Sequence, residues 1–294
     1  MPTRSLSNEL AQEAIDLVSK HGGVVQAAKA VGMPHRRLHW RYRVALQRGF
    51  SPQITREFGT RGSHGQTVLV IPDLHCPYQH PDAFEFIKAA KKKFSPSRAM
   101  CMGDEADQHA MCQYHPDPDN HSPGKELDLA KECLSILADI FPVLPICHSN
   151  HGDRYLKTAA RNNLPRQVMK RYQEIYESPI GWQWADKWEI DGVVYEHGEG
   201  VNGPDGARRK AMYNMKPTVI GHLHAHAGIH YFNNGENQIW GMNSGCLIDF
   251  KSYSFKYAKH YPSKPVISLA LVDRGIPHFF PMTMDKSGRW TGHI

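Results

Sequence analysis

The sequence predicts an α/β protein whose chemistry lies at strand ends, preceded by a small all-α module. Five short apolar runs, each bounded by Gly, Pro or Asp, are typical of buried strands, and helical patterns separate several of them. The runs and the polar residues after them occupy residues 68–75, 99–107, 144–153, 193–199 and 218–224. The first 61 residues instead combine helical periodicity with a surplus of basic charge.

Three short helices are predicted in the N-terminal module, residues 1–50, from apolar stripes at helical spacing. The first helix has Ser7 or Asn8 as a cap and ends at Gly22-Gly23, the second covers residues 24–31, and the third follows a Gly-Met-Pro turn and runs from Pro34 to Gly49. The side chains of the third helix predicted to face inward are Leu38, Tyr42, Ala45 and Leu46. Residues 51–66, rich in Gly and Ser, are predicted as a linker, and residues 67–294 as the catalytic domain.

Basic charge is concentrated in this module. Residues 1–61 contain ten Lys or Arg against four acids, so this fifth of the chain accounts for the whole net charge of +6. The three helices resemble a helix-turn-helix unit, in which the third helix enters the major groove of DNA. The predicted nucleic-acid contacts are Arg36, Arg37, His39, Trp40, Arg41 and Arg43. The alternative is a three-helix bundle whose basic face is only solvated, or docks on a protein surface.

Composition argues against a membrane protein. The chain is 40% hydrophobic, and no run approaches the roughly 18 apolar residues of a membrane span. The polar N-terminus does not resemble a signal peptide, and the six cysteines form no CxxC pair. We therefore expect a cytoplasmic protein that does not contact membranes.

Residues with metal-binding side chains follow each predicted strand. Ligands bind at the carboxyl ends of strands in α/β sheets, so clusters far apart in sequence can meet at one edge. Seven residues are predicted to meet there: Asp73, His75, Asp104, Asn150, His197, His222 and His224. Imidazole, carboxylate and amide ligands without cysteine suit Mn, Fe or Zn better than a structural zinc site. Seven ligands fit two ions about 3.5–4 Å apart, with Asp104 shared because it directly follows Gly103 at a strand end.

These motifs, taken in order, carry a family resemblance. DLH (73–75), GDEAD (103–107), SNHGD (149–153) and GHLH (221–224), together with His197, resemble the calcineurin-like metallophosphoesterases. The resemblance covers residues 67–273 and implies two packed mixed β-sheets flanked by helices, a dinuclear metal centre and hydrolysis of phosphate esters. A module followed by such a phosphoesterase also resembles bacteriophage-encoded proteins, which would place the protein in the host cytoplasm.

The resemblance also assigns roles, position by position. It gives one ion to Asp73, His75 and His224, the other to Asn150, His197 and His222, and the bridge to Asp104. His151 would be free of metal and would act on the substrate together with Asp107. The sequence departs from the family where Ser149 replaces a glycine and Gly152 precedes Asp153. The second departure leaves a supporting role for Asp153 in doubt.

The predicted reaction follows from the resistance of anionic phosphate esters to attack. Two divalent ions neutralise the phosphoryl oxygens and lower the pKa of water from 15.7 to about 7, so that a hydroxide bridging them serves as the nucleophile. His151, oriented by Asp107, would stabilise the transition state or protonate the leaving oxygen, a step typically worth about 10² to 10⁴ in rate.

Residues 154–188 join a basic helical stretch to three tryptophans. They fit either a cap that stacks bases over the metals, or an amphipathic helix packed against core aromatics.

The predicted function is a metal-dependent phosphodiesterase or nuclease that acts on nucleic acid, with DNA favoured, and is recruited by the module. The predicted cofactors are two divalent ions, with Mn favoured over Fe, Zn, Ni or Mg. One alternative is a phosphomonoesterase or protein phosphatase, which has no obvious need for a basic module. The other is a DNA-binding regulator that uses the phosphoesterase fold as a scaffold, against which the intact ligand set argues.

Overall fold

The structure, a computed structural model, consists of two compact units. It describes residues 6–21, 24–47, 65–113, 119–251 and 262–294. The first unit contains the described residues up to 47 together with 179–181, and the second contains the remaining described residues. The predicted linker lies almost wholly outside the described residues, so its bounds stay a prediction.

Three helices form the first unit. They are α1 (Asn8–His21), α2 (Val24–Ala30) and α3 (His35–Gln47). Small and branched side chains such as Ala11, Ile15 and Ala27 form its core with α3. Three predicted inward positions of α3, at Leu38, Tyr42 and Ala45, are buried. The side chain of Leu46 is outside the description.

The second unit contains eleven strands and five longer helices among its described residues. The strands are β1 (Thr67–Ile71), β2 (Arg98–Cys101), β3 (Val143–Cys147), β4 (Gly181–Ala185), β5 (Lys187–Ile190), β6 (Val193–Glu196), β7 (Thr218–Ile220), β8 (Gly228–Asn233), β9 (Gln238–Asn243), β10 (Ser268–Asp273) and β11 (Ile276–Pro281). The helices are α4 (Ala83–Phe94), α5 (Pro123–Ile140), α6 (Arg154–Arg161), α7 (Tyr172–Tyr176) and α8 (Gly206–Asn214), with 3-10 turns at His109–Met111 and Arg166–Val168. None of the described helices combines the length and apolar character needed to cross a bilayer.

The strands form two mixed sheets. The first has the order β11-β10-β1-β2-β3-β4, and the second has the order β5-β6-β7-β9-β8. In the first sheet β1, β2 and β3 run parallel while β10 pairs antiparallel with β1. In the second, β6, β7 and β9 run parallel, with antiparallel β5 and β8 at the edges. The predicted fold class is therefore confirmed.

Alternation along β1 shows how the layers stack. Successive side chains of a strand point to opposite faces of its sheet. Val68 and Val70 belong to an apolar core that also contains Tyr195 of the second sheet. Leu69 and Ile71 belong to the other core, which includes the buried faces of α4 and α5. β1 thus lies between a sheet-to-sheet core and a sheet-to-helix core, which explains why its sequence is apolar throughout.

The predicted long helical stretch after residue 154 is broken into three pieces. α6 ends at Arg161, a 3-10 turn covers Arg166–Val168, and α7 begins only at Tyr172. Pro165 lies in the gap, where it has no backbone N–H to donate and disfavours a helical residue before it. The tryptophans that follow lie on β4 and β5.

Candidate metal centre

The polar side chains at the ends of five parallel strands converge. Asp73, Asp104 and Asn150 follow β1, β2 and β3, while His197 and His222 follow β6 and β7. Because parallel strands of each sheet end on the same side, loops from both sheets meet at this edge. His75 and His224 lie two residues beyond Asp73 and His222.

A first cluster contains Asp73, His75, Asp104 and His224, whose candidate ligand atoms all lie within 4.8 Å of one another. The Nε2 atoms of His75 and His224 are 3.2 Å apart. Oδ2 of Asp73 lies 3.0 Å from Nε2 of His224, and Oδ2 of Asp104 lies 3.4 Å from Nε2 of His75. Asp73, His75 and Asp104 are buried, whereas His224 is half-buried.

A second cluster contains Asp104, His197 and His222. Nε2 of His197 lies 3.4 Å from Oδ2 of Asp104 and 3.2 Å from Nδ1 of His222. Oδ1 of Asn150 lies 2.9 Å from the same Nε2 atom. One oxygen of Asp104 therefore faces both clusters.

The donor set fits divalent cations. Oδ1 of Asp73 is buried without a hydrogen-bond partner in the described structure, and such a carboxylate oxygen is costly unless it meets a cation or donor. Ring nitrogens face each other in pairs, His75 with His224 and His197 with His222. Nitrogen and oxygen atoms without thiolate suit Mn, Fe or Zn at a catalytic site.

Three of these residues have a backbone conformation that side chains rarely adopt. The φ angles of His75, Asp104 and His222 are +54°, +45° and +66°. Hydrogen bonds hold them there: His75 N donates to the carbonyl of Asp104, and His222 N donates to Oδ2 of Asp73, both over 2.7 Å. Left-handed backbone at non-glycine residues costs free energy and is concentrated at functional sites.

Without a bound metal ion, the candidate histidine ligands differ in their affinity for protons. Burial alone would lower the pKa of His75, but its contacts with Asp104 and Asp107 raise it to about 10. Burial is likewise outweighed at His197, where the nearby Asp104 raises the pKa to about 9. At His222, burial and the neighbouring His197 lower the pKa to about 4. Burial would raise the pKa of Asp104, yet the facing histidines hold it well below its usual range.

The predicted catalytic pair lies beside the first cluster. Nδ1 of His151 is 2.8 Å from the carbonyl oxygen of Asp107 and 3.1 Å from its Oδ1. Nε2 of His151 accepts a hydrogen bond from Nη2 of Arg154 over 3.0 Å. Asp107 has a second contact, because its Oδ1 is also 2.5 Å from Nδ1 of His75. Asp107 thus links the catalytic pair to a predicted metal ligand.

Close packing explains the glycine before Asp104, and hydrogen bonding explains the serine at position 149. Gly103 has a φ of +97°, and a Cβ there would lie 2.7 Å from Cβ of Ser149 and 2.8 Å from the carbonyl of Cys147. Ser149, which departs from the family pattern, accepts hydrogen bonds from the backbone N–H of Asp104 and of Gly152 at its Oγ, over 2.9 and 3.1 Å. The serine therefore ties the loop after β3 to the shared carboxylate.

All seven predicted ligands and both predicted catalytic residues meet at this edge, while their assignment as ligands stays a prediction. Sequence reasoning missed Arg154 and the role of Ser149. The spacing of three residues between His151 and Arg154, one helical turn, was the available signal. Asp153, whose role was in doubt, accepts a hydrogen bond from the hydroxyl of Tyr172 over 2.9 Å. Glu105 faces Trp184, whose Nε1 donates to it over 3.0 Å, and burial raises its pKa to about 7.

All six predicted nucleic-acid residues lie on α3, and all but one are exposed. Arg36, Arg37, His39, Trp40 and Arg43 are exposed. Arg41 was expected on the same face, and that expectation is wrong. Its side chain is buried, at 9% exposure, and its Nη1 pairs with Oε2 of Glu13 on α1 over 3.4 Å. The paired guanidinium contributes to the helix packing of the first unit.

Comparison with known proteins gave distant structural likenesses. No protein-family model and no curated protein matches the sequence. Among solved structures, the chain is similar to Vps29 of Chaetomium thermophilum, with 16% identity, a TM-score of 0.39, and coverage of 78% of this chain and 94% of that one. It is also similar to vacuolar protein sorting 29 from Cryptosporidium parvum, with 15% identity, a TM-score of 0.34, and coverage of 76% and 99%.

Proposed function

We propose that this protein is a dinuclear metal-dependent phosphoesterase that acts on nucleic acid. The observation that carries the proposal is the position of Asp104, one oxygen of which faces both clusters of candidate ligand atoms. A shared carboxylate between two sets of histidines is the arrangement that a two-metal hydrolase needs. Asp73, His75 and His224 would hold one ion, and Asn150, His197 and His222 the other.

When bound, such ions supply charge neutralisation at phosphoryl oxygens and an activated water at neutral pH. The contribution of the chain itself is orientation and proton transfer. Asp107 fixes the ring of His151 through Nδ1, so that Nε2, once released from Arg154, is the atom able to exchange a proton with the leaving oxygen. Arg154, already beside that Nε2, has further N–H groups that can bind a phosphoryl oxygen.

Nucleic acid is the proposed substrate class because of the exposed basic face of α3. Arg36, Arg37 and Arg43 lie there with Trp40, which is 40% exposed. Arginines that neutralise backbone phosphates supply most of the affinity for DNA. We propose DNA as the partner and manganese as the physiological ion, the latter because the candidate ligands include carboxylate and amide oxygens, which suit Mn, and no thiolate.

Replacement of the shared carboxylate tests the proposal. Asp104→Asn should lower the metal content below two ions per chain and abolish hydrolysis, because the amide carries no charge to share between the ions. The control is Asp128→Asn, the same exchange at an exposed position of α5. Metal content would be measured by mass spectrometry, and rates with Mn, Mg, Zn and Ni on a small diester, a monoester, and single- and double-stranded DNA.

The choice of substrates separates the alternatives. A preference for the diester and for DNA supports the proposal, whereas hydrolysis of the monoester alone indicates a phosphomonoesterase. Full manganese-dependent activity of Asp104→Asn would exclude the two-metal centre. Wild-type protein that binds two ions but hydrolyses none of the four substrates would favour a regulator built on this scaffold.

A further inference from the structure

An open cleft of about 340 Å³ lies in the second unit, beside the loop that follows β3. One side is an aromatic wall formed by His148, Tyr155, Tyr172 and Trp184. The lining also includes three cationic residues, which form the cationic rim: Arg166, Lys170 and Arg171. We call this feature the aromatic cleft. It contains none of the predicted metal ligands and is not needed for the chemistry proposed above.

The aromatic wall is fixed in place by contacts among its own rings. Tyr172 stacks on Trp184 with ring centroids 5.4 Å apart and planes within 14°. Tyr155 meets Tyr172 edge to face at 5.5 Å. The polar atoms of two of these rings are satisfied inside the protein, since Tyr172 donates to Asp153 and Trp184 donates to Glu105. Tyr172 itself is buried, so the half-buried rings of His148, Tyr155 and Trp184 are the part of the wall that presents a preorganised π surface.

The cationic rim has no acidic counterpart among the residues that line the cleft. Arg166, Lys170 and Arg171 are all exposed. They lie on the short segment between α6 and α7, where Pro165 interrupts the helix. A ligand that complements this cleft must therefore combine a planar ring with negative charge.

One loop connects the aromatic cleft to the metal centre. His148 lines the cleft, Asn150 contacts His197 of the second cluster, and His151 contacts Asp107. Two adjacent residues of α6 make the same connection: Arg154 donates a hydrogen bond to His151, and Tyr155 lines the cleft. A chain bound in the cleft would thus lead towards the predicted site of phosphate hydrolysis.

We propose that the aromatic cleft binds a nucleotide of single-stranded nucleic acid, with its base on the aromatic wall and its phosphate at the cationic rim. This inference rests on the proposed function, because it names the form of the substrate that the same site would receive. Stacking on aromatic side chains tolerates every base, and a basic groove follows the backbone. Arginine suits the rim because its planar guanidinium binds phosphate through paired N–H groups.

Binding, not turnover, is the measurement that tests the cleft. The probe is a fluorescein-labelled oligothymidylate of about 12 nucleotides with phosphorothioate linkages, which keep the charge and resist hydrolysis. Its affinity would be measured by fluorescence anisotropy on the full chain at several salt concentrations. The variant is Arg166→Gln/Lys170→Gln, and the matched control is Lys157→Gln/Arg161→Gln, two exposed positions of α6 outside the cleft lining.

We expect the cleft variant to bind on the order of 10-fold more weakly than the wild type. The slope of log affinity against log salt should flatten by about 1.4, because each lost single-strand phosphate contact contributes about 0.7. The matched control should bind like the wild type. Equal affinity and slope for the cleft variant and its control would overturn the proposal.

Two further measurements test the aromatic wall. An abasic oligonucleotide of equal length and charge should bind more weakly than oligothymidylate, and equal binding would overturn the assignment of a nucleotide. An oligonucleotide with 5-iodouracil should crosslink to the peptides that contain Tyr155, Tyr172 or Trp184. Crosslinks confined to residues 1–47 would overturn the proposal by attributing all single-strand binding to the first unit.

These results can be distinguished from a failure of the proposed function. Cleft binding without hydrolysis of any substrate would leave the nucleotide site standing and reject the phosphoesterase. Hydrolysis that depends on Asp104, combined with unchanged binding by the cleft variant, would support the phosphoesterase and reject the nucleotide site.

Discussion

His151 is held at both ring nitrogens. Nδ1 faces Asp107, and Nε2 accepts from Arg154, so the ring is oriented by the protein. His151 is absent from both clusters that share Asp104, although with His75 and Asp107 it forms a third group of candidate ligand atoms. His151→Ala should therefore retain about two metal ions per chain and lose roughly 10² to 10⁴ in rate. The loss should be smallest for substrates whose leaving group needs no proton. Metal analysis and rates on diesters of graded leaving-group acidity check this.

Asp107→Asn is the companion variant, and its expected effect differs because Asp107 also contacts His75. A group that orients a metal ligand typically contributes 10- to 100-fold to metal affinity. We expect Asp107→Asn to weaken metal binding by about that factor and to reduce the rate. If His151→Ala were the variant that lost an ion, His151 would be a ligand and the role proposed for it would be wrong.

Proton binding by the histidines makes metal affinity depend on pH. The pKa of His75 is raised to about 10 and that of His197 to about 9, so both rings carry protons at neutral pH in the absence of an ion. Metal binding requires the neutral ring and must release these protons. Affinity should therefore increase with pH from 6 towards about 9. Calorimetry in buffers of different ionisation enthalpy would count the protons, and affinity independent of pH would contradict this.

Individual residues show what the sequence can predict. The seven candidate ligands were identifiable because each lies in the short segment after an apolar strand, and ligands bind at the carboxyl ends of such strands. Arg41 was misassigned because its burial depends on Glu13, which lies on a different helix. Arg154 was overlooked as a member of the site although His151 lies three residues before it, because its second partner there, Asp107, is distant in sequence.

At the scale of elements, the conformation of the loop after β3 depends on the hydrogen bonds of one side chain, Ser149. Oγ of Ser149 accepts from two buried backbone N–H groups, and Ser149→Ala would leave both without this acceptor. We expect a loss of about 1–3 kcal/mol in the free energy of unfolding. Ser135→Ala on α5 is the control, because that hydroxyl is exposed and bonds only within its own helix. Denaturant unfolding of both variants measures the difference, and equal stability would contradict the assigned role.

The elements also differ in how well the sequence predicts them. α1 to α3 and the five strands that end in polar motifs lie close to their predicted positions, because caps, Gly turns and apolar runs delimit them locally. The basic helical stretch predicted within residues 154–188 is observed as two short helices with a 3-10 turn between them, because Pro165 outweighs the surrounding helical pattern. The tryptophans after it lie on strands, where contacts distant in sequence determine their packing.

For the whole molecule, the first unit should supply affinity for duplex DNA. Arg36→Gln/Arg37→Gln/Arg43→Gln should flatten the slope of log affinity against log salt by about 2.7, since each duplex phosphate contact contributes about 0.9. Arg41 is left in place because its pairing with Glu13 supports the fold. The control replaces three exposed lysines of α4, namely Lys88, Lys92 and Lys93. An unchanged slope in the arginine variant would indicate that the module docks on protein instead.

The candidate ligands come from loops of both sheets: Asp73, Asp104 and Asn150 from the first, His197 and His222 from the second. Ions bound there would be coordinated by residues of both sheets and would connect the sheets at this edge. Anything that binds only the folded state stabilises it by mass action, by about 2.7 kcal/mol for one site at a hundredfold excess over its dissociation constant. The concentration of free metal would then determine the stability of the fold, and a chelator would lower the free energy of unfolding as well as stop hydrolysis.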